Sequence, residues 1–515
     1  MDAWEYLAIL SKKEGWLFRR NDLDDRLNGL AMISEVGNEH HIGHLIPYLQ
    51  DKNRQIQIAT CATISRLFVK IKTQSRYYDA LKHCDISRTD IDLFQRIFEK
   101  DQYIDLLLIA SLNHNGHIRE LALNKLATLN SDKAIQFIIY RLGDWVPQVR
   151  QAALRAIENF KSAEHVDALV NNLSNFEWLR KVERVDLSSE YESIIQYLTI
   201  QHRQYVSKNF FSFPEKNRLL LAKHLSNSTN SSKDEIQLFL RDPTFLIRIL
   251  AIDHFENLTR ENVTDLLNDK SSQIRLKILR RLHNEGDFVQ LAMSYLADPS
   301  ASIREFIRYS LRNENIDFAT IYNDRLLAGR DVVGSLMGLA ELGAKQFSDT
   351  VTNFLHDKKI KVMKTAFVAL TKLDDQRAYD FALANLDSEF VGIRKVAAAF
   401  LQKRATPEVL EKARSLFTRG GIDLKKEVLK MFSHIGGWQV IPDILAGTVD
   451  ENREIRDLSL TYLDLWKIRS NRVFVRPKSS DLENAKKTFE FAFELHEKKR
   501  FFDANPLQGF GFYLQ

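Results

Sequence analysis

The 515-residue chain has little of three residue types, with two cysteines, nine prolines and 19 glycines. Cys61 and Cys84 are well separated in the chain and form no CxxC motif, so they indicate neither a disulfide framework nor a zinc site. An all-β chain needs many tight turns, which few glycines and prolines can supply. The sequence therefore predicts reduced thiols and a mainly helical fold.

Long apolar runs and a strong charge imbalance are also missing. No apolar run approaches the length of a membrane-spanning helix, and residues 1–5 lack the pattern of a signal peptide. The 73 basic and 68 acidic residues leave a net charge of +5, which by itself indicates neither nucleic acid nor an anionic membrane. We expect a cytoplasmic protein without a membrane partner.

Signatures of catalysis are absent from the sequence. There is no nucleophile elbow, phosphate loop, dinucleotide fingerprint or kinase motif. His40 and His44 have a spacing that metal ligands use on a helix, but with His41 they lack the order of a zinc hydrolase and equally suit the start of a helix. We predict no catalytic residue, no metal and no cofactor, with a catalytic pair assembled by the tertiary fold as the open alternative.

A short motif recurs about every 30 residues. It consists of an aspartate, which we call the anchor, an apolar residue five positions later and an arginine after that. Two copies lack the arginine, two replace the aspartate and one has an extra residue. The copies are Asp51/Ile56, Asn113/Ile118/Arg119, Asp144/Val149/Arg150, Ser174/Leu179/Arg180, Asp242/Ile247/Arg248, Asp269/Ile274/Arg275, Asp298/Ile303/Arg304, Asp357/Val362, Asp387/Ile393/Arg394 and Asp450/Ile455/Arg456.

The motif predicts a helical hairpin. A glycine or asparagine, which tolerates the left-handed conformation that ends a helix, stands at a constant distance before several anchors. The anchor is predicted to be the N-cap of the next helix, whose apolar residues follow helical spacing. Stacked hairpins bury the faces that one hairpin leaves exposed. The helix-ending residues are Gly37, Asn130, Asn284, Gly343 and Gly436.

The clearest copies run from Gly37 to Asp51 and from Gly436 through Asp450 to Arg456. They resemble the short HEAT-like repeats of the type described in phycobilin lyases. The resemblance implies an all-α solenoid of HEAT-like hairpins over residues 20–186 and 234–470. The family includes scaffolds, inhibitors, lyases and nucleic-acid binders, so a lyase or other cofactor enzyme is an alternative by fold analogy alone.

The repeat pattern divides the chain into five segments. Terminal repeats of a solenoid need caps, and the aromatic tail at the C-terminus is interpreted as a cap in preference to a segment that docks into a partner. The segments are a capping helix at 1–20, a first repeat segment at 21–186, an irregular helical insertion or hinge at 187–233, a second repeat segment at 234–470, and a C-terminal helix with an aromatic tail at 471–515.

The repeated arginines allow two interpretations. They can form a ladder of charge-assisted hydrogen bonds with an aspartate of the neighbouring turn, or they can form a stripe that binds a ligand. The ladder is favoured, because structural ion networks commonly produce such order. The arginines are Arg119, Arg150, Arg180, Arg248, Arg275, Arg304, Arg394 and Arg456.

A basic region in the C-terminal half is the candidate partner-binding site. The HEAT resemblance implies that the second helix of each hairpin lines a concave surface. We predict a non-enzymatic scaffold, inhibitor or regulator that binds another protein there, an acidic one fitting best; nucleic-acid binding, including DNA processing, is the alternative. The candidate residues are Lys395, Lys403, Arg404, Lys425, Lys426, Lys430, Trp466, Lys467, Arg469, Arg472, Arg476 and Lys478.

Overall fold

The computed structural model describes residues 2–11, 23–71, 74–227, 232–283, 288–472, 476–499 and 504–514. Over these ranges the chain is helical and contains no strand. It forms two compact units, Met1–Ile274 (unit 1) and Arg275–Gln515 (unit 2). Each unit is a stretch of α-solenoid built from HEAT-like hairpins, so the predicted fold class is confirmed.

Unit 1 contains eighteen described α-helices, and a nineteenth spans the boundary between the units. They are α1 (Ala3–Ser11), α2 (Leu23–Val36), α3 (Ile42–Leu45), α4 (Arg54–Val69), α5 (Gln74–Leu81), α6 (Arg88–Ile97), α7 (Lys100–Ala110), α8 (Gly116–Leu129), α9 (Ile135–Leu142), α10 (Pro147–Asn159), α11 (Val166–Asn171), α12 (Leu173–Leu179), α13 (Ser188–Gln196), α14 (Arg203–Lys208), α15 (Glu215–Ser226), α16 (Lys233–Arg241), α17 (Phe245–Arg248), α18 (Arg260–Leu267) and, at the boundary, α19 (Ser272–Leu282).

Unit 2 continues the same alternation of helices. Its described α-helices are α20 (Phe288–Tyr295), α21 (Ala301–Ser310), α22 (Phe318–Leu327), α23 (Val332–Leu342), α24 (Ser348–Asn353), α25 (Ile360–Leu373), α26 (Asp375–Ala384), α27 (Val391–Leu401), α28 (Pro407–Arg419), α29 (Ile422–Ile435), α30 (Ile441–Gly447), α31 (Arg453–Ser470) and α32 (Ser479–Lys499).

Short segments of other helix types complete the described structure. Tyr197–Gln201 is a π-helical segment after α13. The 3₁₀ segments are Glu39–His41, Ile46–Gln50, Asp132–Ala134, Ala163–His165, Phe210–Ser212, Ile249–Asn257, Lys345–Phe347, Phe354–His356, Trp438–Val440 and Phe510–Leu514.

We call the second helix of each hairpin a B helix. Consecutive B helices pack side by side, as in α2 with α4, α8 with α10, and α23 with α25. Their apolar stripes lie in the core: Val149, Ala153 and Ile157 of α10 are all buried. The B helices are α2, α4, α8, α10, α15, α17, α19, α21, α23, α25, α27, α29 and α31.

The anchor side chain closes a tight turn before the B helix. Asp144 Oδ1 accepts a hydrogen bond from the Val146 amide at 2.9 Å, and Asn113 Oδ1 accepts one from Asn115 at 2.8 Å. The predicted N-cap role of the anchor is wrong, because the N-cap lies further along the chain, as at Asn115. An Asx turn reverses the chain over those two residues and so delays the helix start. The same turn forms at Asp51, Asp242, Asp269, Asp298, Asp357 and Asp450.

The predicted left-handed helix ends are confirmed at three positions. Asn130, Gly343 and Gly436 have φ angles of 54°, 62° and 65°. Gly37 is different: its φ is not positive, and a Cβ there would stand 2.4 Å from the carbonyl oxygen of Ile33. Glycine is required at that position by a close approach of the backbone. Asn284 lies outside the described residues.

The repeated arginine forms the predicted ladder by joining two hairpins. Arg119 Nη1 donates to the carbonyl of its own anchor, Asn113, at 2.9 Å. Its Nε and Nη2 donate to the carboxylate of the next anchor, Asp144, at 2.9 and 2.8 Å. The ladder interpretation is therefore confirmed for Arg119, Arg248, Arg275, Arg304 and Arg394, the last two of which pair with a glutamate. Equivalent pairs are Arg26–Asp51, Arg218–Asp242, Arg248–Asp269, Arg275–Asp298, Arg304–Glu341, Arg394–Glu427 and Lys425–Asp450.

Two anchors differ from the sequence prediction. Arg394 Nη1 donates to the carbonyl of Ser388 at 2.8 Å, so Ser388 is the anchor and the apparent extra residue after Asp387 disappears. Ser174 lies inside α12 and closes no turn before it. Arg180, which follows α12, pairs with Glu177 of the same helix at 3.3 Å instead of joining the next hairpin.

The segment 187–233, for which the sequence predicts an irregular helical insertion or hinge, belongs to unit 1. Its described helices α13 to α15 lie within unit 1, whereas the division between the units falls after Ile274. Arg218 of α15 donates to the Phe213 carbonyl at 2.8 Å and to Asp242 at 2.7 Å, which is the ladder geometry. The sequence motif is hidden here because the residue before the arginine, which is apolar in the predicted copies, is Asn217.

Both ends of the described chain pack onto the outermost hairpins. Helix α1 packs on α2, and the Trp4 ring lies 4.6 Å from His41 and 5.0 Å from His44. Helix α32 packs on α30, and Phe510 buries its ring against Trp466. Such contacts are of the kind expected for the caps that terminal repeats need. Residues 12–20, Phe501 and Phe502 lie outside the described residues.

Candidate partner-binding surface

Four of the twelve candidate residues are engaged in ion pairs of unit 2. Lys425 pairs with Asp450 at 2.6 Å and takes the ladder position that arginine occupies elsewhere. Ion pairing offsets the charge of these side chains, so they offer less to an anionic partner than their number in the sequence indicates. The other three pairs are Arg404–Asp375, Lys426–Glu454 and Lys467–Asp464.

Two further candidates hold α31 against α29. Trp466 is 5% exposed and its indole N–H donates to the Gly436 carbonyl at 2.9 Å. Arg469 Nη1 donates to the Ser433 carbonyl in the last turn of α29 at 2.8 Å, a common way to satisfy the end of a helix. The sequence prediction placed both residues on a partner-binding surface. The structure buries the tryptophan among the rings of Trp438, Phe510 and Tyr513 and uses the arginine as a cap.

The remaining six candidates are exposed, and three of them line two different cavities. Lys395 and Lys430 border a cavity of about 240 Å³ between α27 and α29. Lys478 borders one of about 910 Å³ between α28, α30 and α32. The candidate set therefore does not form a single site. The other exposed residues are Lys403, Arg472 and Arg476.

Arg414 and Asp443, which line the larger cavity, form an ion pair with each other. Arg414 Nε lies 2.9 Å from Asp443 Oδ1, and its Nη2 donates to Oδ2 at 2.9 Å and to the Gln439 carbonyl at 2.8 Å. Burial raises the pKa of Asp443 despite this pair. By contrast, the cavity between α27 and α29 presents the two exposed lysines Lys395 and Lys430.

A row of exposed apolar residues at the start of three B helices was missed by the sequence reasoning. Ile360, Val391 and Ile422 are the first residues of α25, α27 and α29, and they recur at the interval of the repeat. They are 41%, 47% and 44% exposed. The three helices pack in succession, so the side chains occupy equivalent positions along one edge of unit 2. The repeat register was the signal that could have found them. Ile360 and Val391 each lie three positions after an anchor, Asp357 and Ser388, and Ile422 follows Val391 by one repeat.

Both cysteines and His41 are buried in the core, whereas His40 and His44 are exposed. Cys61 and Cys84 are both free and buried, and burial raises the pKa of each thiol to about 12. His41 is buried, and burial lowers its pKa although the Asn38 backbone opposes the change. Within the described ranges, no three or more His, Cys, Asp or Glu side chains are grouped so that they could hold a metal ion. Neither thiol is poised as a nucleophile, because the thiolate is the reactive form.

Membrane-spanning helices were sought in the described part of the chain. None of the helices there combines the length and the apolar composition needed to cross a bilayer.

Comparison with known proteins identifies similar folds but no family. No family model matches the chain, and no curated protein matches it. Among solved structures, it is similar to Kap121p (11% identity, TM-score 0.33, 99% of this chain and 66% of that chain) and to Kap121p bound to RanGTP (13%, 0.32, 96% and 64%). It is also similar to Kap95p in a structure with RanGDP (11%, 0.28, 100% and 69%). The chain thus spans just under two thirds of the length of Kap121p.

Proposed function

We propose that the chain is a non-enzymatic interaction scaffold or regulator that binds a partner protein along the edge of unit 2 marked by Ile360, Val391 and Ile422. We call these three residues the apolar row. The observation that carries the proposal is their regular exposure, each close to half exposed at the same position of three successive B helices. Contiguous exposed apolar residues with a polar rim are typical of protein-interaction sites.

The spacing of the apolar row suits a protein segment. Axes of packed helices lie about 8–10 Å apart, so neighbouring members of the row repeat at roughly that distance. A polyproline II segment covers about 9 Å in three residues at about 3.1 Å each, which is one turn and returns its side chains to the same face, and a helix covers about 10 Å in about seven residues at about 1.5 Å each. A partner with apolar side chains at either interval can contact all three members.

The surroundings of the row favour an acidic partner. Lys359 and Lys361 flank Ile360 and are exposed, and Lys395 and Lys430 lie on α27 and α29. Complementary charge raises the rate of association and selects among partners. The basic residues of the original candidate set that remain exposed therefore support a protein interface around an apolar centre.

The nucleic-acid alternative has less support. Base stacking needs an accessible aromatic ring, whereas Trp466 is buried. A phosphate backbone needs cations with free donors, whereas Lys425 and Lys426 are paired with Asp450 and Glu454.

The proposal is tested by affinity purification of the tagged full-length chain from its native cells, with and without nuclease, followed by mass spectrometry. We expect one stoichiometric protein that survives nuclease treatment. The triple variant Ile360→Ser, Val391→Ser, Ile422→Ser should lose this protein while keeping its helical circular dichroism, because the three side chains contribute little to the core.

A matched triple variant controls for the general loss of exposed apolar surface. Tyr309→Ser, Leu327→Ser and Phe491→Ser remove side chains of unit 2 that are 62%, 71% and 59% exposed and lie outside the row. This variant should capture the partner as the parent chain does. Equal capture by the row variant, or capture that disappears with nuclease, would refute the proposal.

A further inference from the structure

A cavity of about 240 Å³ in unit 1 combines aromatic walls with arginines. Tyr140 and Trp178 stack with ring centroids 5.6 Å apart. Trp145 is 69% exposed at the mouth, with the Arg184 guanidinium 5.6 Å from its ring centroid. The side chains that line the cavity and carry the argument are Tyr78, Tyr140, Arg141, Trp145, Trp178 and Arg184.

Arg141 is a buried cation with unused donors. It is 4% exposed, and its Nη1 donates to Asp144 Oδ2 at 2.8 Å. Its Nε and Nη2 are buried and have no hydrogen-bond partner among the described residues. The centre of the guanidinium lies 4.8 Å from the Tyr140 ring and 6.0 Å from the Tyr78 ring. These ring contacts take up no N–H group, so two donors on one edge of the guanidinium are unpaired, and the side chains that cover them must move aside before a ligand reaches them.

The excess of positive charge around the cavity favours an anionic ligand. Three guanidinium groups surround the single carboxylate of Asp144: Arg119 and Arg141 donate to the carboxylate, and Arg150 Nη1 donates to the Asp144 backbone carbonyl at 2.7 Å. One negative charge thus faces three positive charges, and Arg184 adds a fourth at the mouth of the cavity. The Asp144 carboxylate already accepts four hydrogen bonds, two from Arg119 and one each from Arg141 and the Val146 amide.

The fold does not require an arginine at position 141. It stands three positions before the anchor, and none of the other copies has an arginine there: two have Asn171 and Asn385, and the remaining seven have an apolar, aromatic or small residue. The ladder forms in those copies without it, as in Arg248–Asp269. Arg141 is therefore not required to form the hairpin or the ladder. The seven apolar, aromatic or small residues are Tyr48, Ala110, Phe239, Leu266, Tyr295, Phe354 and Gly447.

We infer that this cavity binds a carboxylate side chain of an acidic partner segment, held side-on by Nε and Nη2 of Arg141. Two parallel N–H donors on one edge of a guanidinium match the two oxygens of a carboxylate. Trp145 and Trp178 contact an apolar side chain next to that carboxylate, since large amphipathic rings are favoured at the centre of interfaces. The inference rests on the proposed protein-binding function and adds the chemical class of the partner.

The test is fluorescence anisotropy of the full-length chain with a labelled eight-residue peptide of alternating glutamate and phenylalanine. Its counterpart with glutamine in place of glutamate keeps the size and removes the charge. A third peptide carries phosphoserine in place of glutamate, and inorganic phosphate serves as a competitor. We expect the glutamate peptide to bind at least tenfold more tightly than the glutamine peptide.

Two variants locate the binding site. Arg141→Leu removes the donors and keeps a buried apolar chain, and it should weaken binding of the glutamate peptide at least tenfold. Trp145→Ala changes a mostly exposed side chain, so it leaves the fold intact and should weaken binding severalfold even if Arg141→Leu proves unstable. Arg312→Ala is the matched control: it removes an arginine that lies 4.1 Å from the Tyr309 ring in unit 2, and it should not change the affinity.

The other outcomes overturn the inference. Equal affinity for the glutamate and glutamine peptides would show that the cavity does not recognise a carboxylate. Binding of the phosphoserine peptide alone would show that the ligand is a phosphate group. Displacement by inorganic phosphate without binding of any peptide makes it a small-anion site. If a stoichiometric partner is captured through the apolar row but neither Arg141→Leu nor Trp145→Ala affects peptide binding, the inference fails and the proposed function stands.

Discussion

Arg119 and Asp144, which belong to successive hairpins, form two buried hydrogen bonds of 2.9 and 2.8 Å. Their side chains are 5% and 0% exposed. Arg119 also donates to the carbonyl of its own anchor, Asn113, and Asp144 closes its own turn through the Val146 amide. One ion pair therefore fixes two turns relative to each other.

Replacing the anchor carboxylate should destabilise unit 1. Asp144→Asn leaves Arg119 and Arg141 buried without a counter-ion. Removing one partner of a buried ion pair costs about 3–5 kcal/mol. We expect a clear fall in the urea midpoint, followed by circular dichroism.

The matched control is Asp349→Asn. Asp349 also pairs with an arginine, Arg377, at 2.6 Å, but its side chain is 87% exposed. Water replaces the lost contact there, so the urea midpoint should stay close to that of the parent chain. A similar shift for both variants would show that burial does not determine the strength of the ladder.

The chain should lose stability in acid because of its cross-hairpin carboxylates. Burial alone would raise the pKa of Asp144, but hydrogen bonds from Arg119 and the Val146 amide, with the nearby arginine charges, hold that pKa below its ordinary value. The pKa values of Asp51, Glu235 and Glu341 are lowered by arginines in the same way. Below about pH 4, the ordinary pKa of aspartate, the unfolded chain binds more protons than the folded chain. The free energy of unfolding therefore decreases as the pH decreases.

The pH prediction is measured as the urea midpoint between about pH 6 and pH 3, around the ordinary carboxyl pKa values. The parent chain should show a midpoint that falls as the pH decreases. Asp144→Asn should show a shallower fall, because one of the groups with a lowered pKa is missing. A midpoint that rises as the pH decreases would contradict the assignment.

Gly334 should not tolerate even a methyl group. A Cβ at this position of α23 would stand 1.8 Å from the Ala297 carbonyl oxygen and 2.5 Å from its carbonyl carbon. Backbone atoms cannot move aside as a flexible side chain can, so the helix must shift. Overpacking typically costs about 1–3 kcal/mol, and Gly334→Ala should lower the thermal unfolding midpoint.

Gly392 provides the opposite case within unit 2. It also lies in a B helix, α27, but a Cβ there would meet nothing within 4 Å. Alanine in a helix is more stable than glycine by about 0.5–1 kcal/mol. Gly392→Ala should therefore raise the thermal midpoint, and a fall for both variants would mean that close packing is not the cause at Gly334.

The repeat architecture was readable from the sequence because its signals are local. The spacing of Asp144, Val149 and Arg150 lies within one turn and one helix, and it returns in many copies. The left-handed ends at Asn130 and Gly343 depend only on residue type and backbone conformation. The arginine ladder was predicted because the same two charges recur at a constant interval.

The candidate site was predicted less well because accessibility is not a local property. Lys425 and Lys426 look alike in the sequence, yet the first occupies the ladder and the second pairs with Glu454 on the next B helix. Trp466 looks like an exposed aromatic beside basic residues, but the rings of Trp438, Phe510 and Tyr513 pack around it and it is buried. The apolar row became visible only when its three members were placed on one edge.

The sequence by itself determined the class of fold, the length of the repeat and the chemical bond between repeats, because each depends on residue type and on spacing within a hairpin. The tertiary structure alone decided which cations remain exposed, which glycines admit a methyl group and where Arg141 lies. Those properties depend on atoms brought together from different hairpins. Arg141 illustrates the division: its sequence position shows only an arginine before an anchor, whereas packing makes it a buried cation with two free donors.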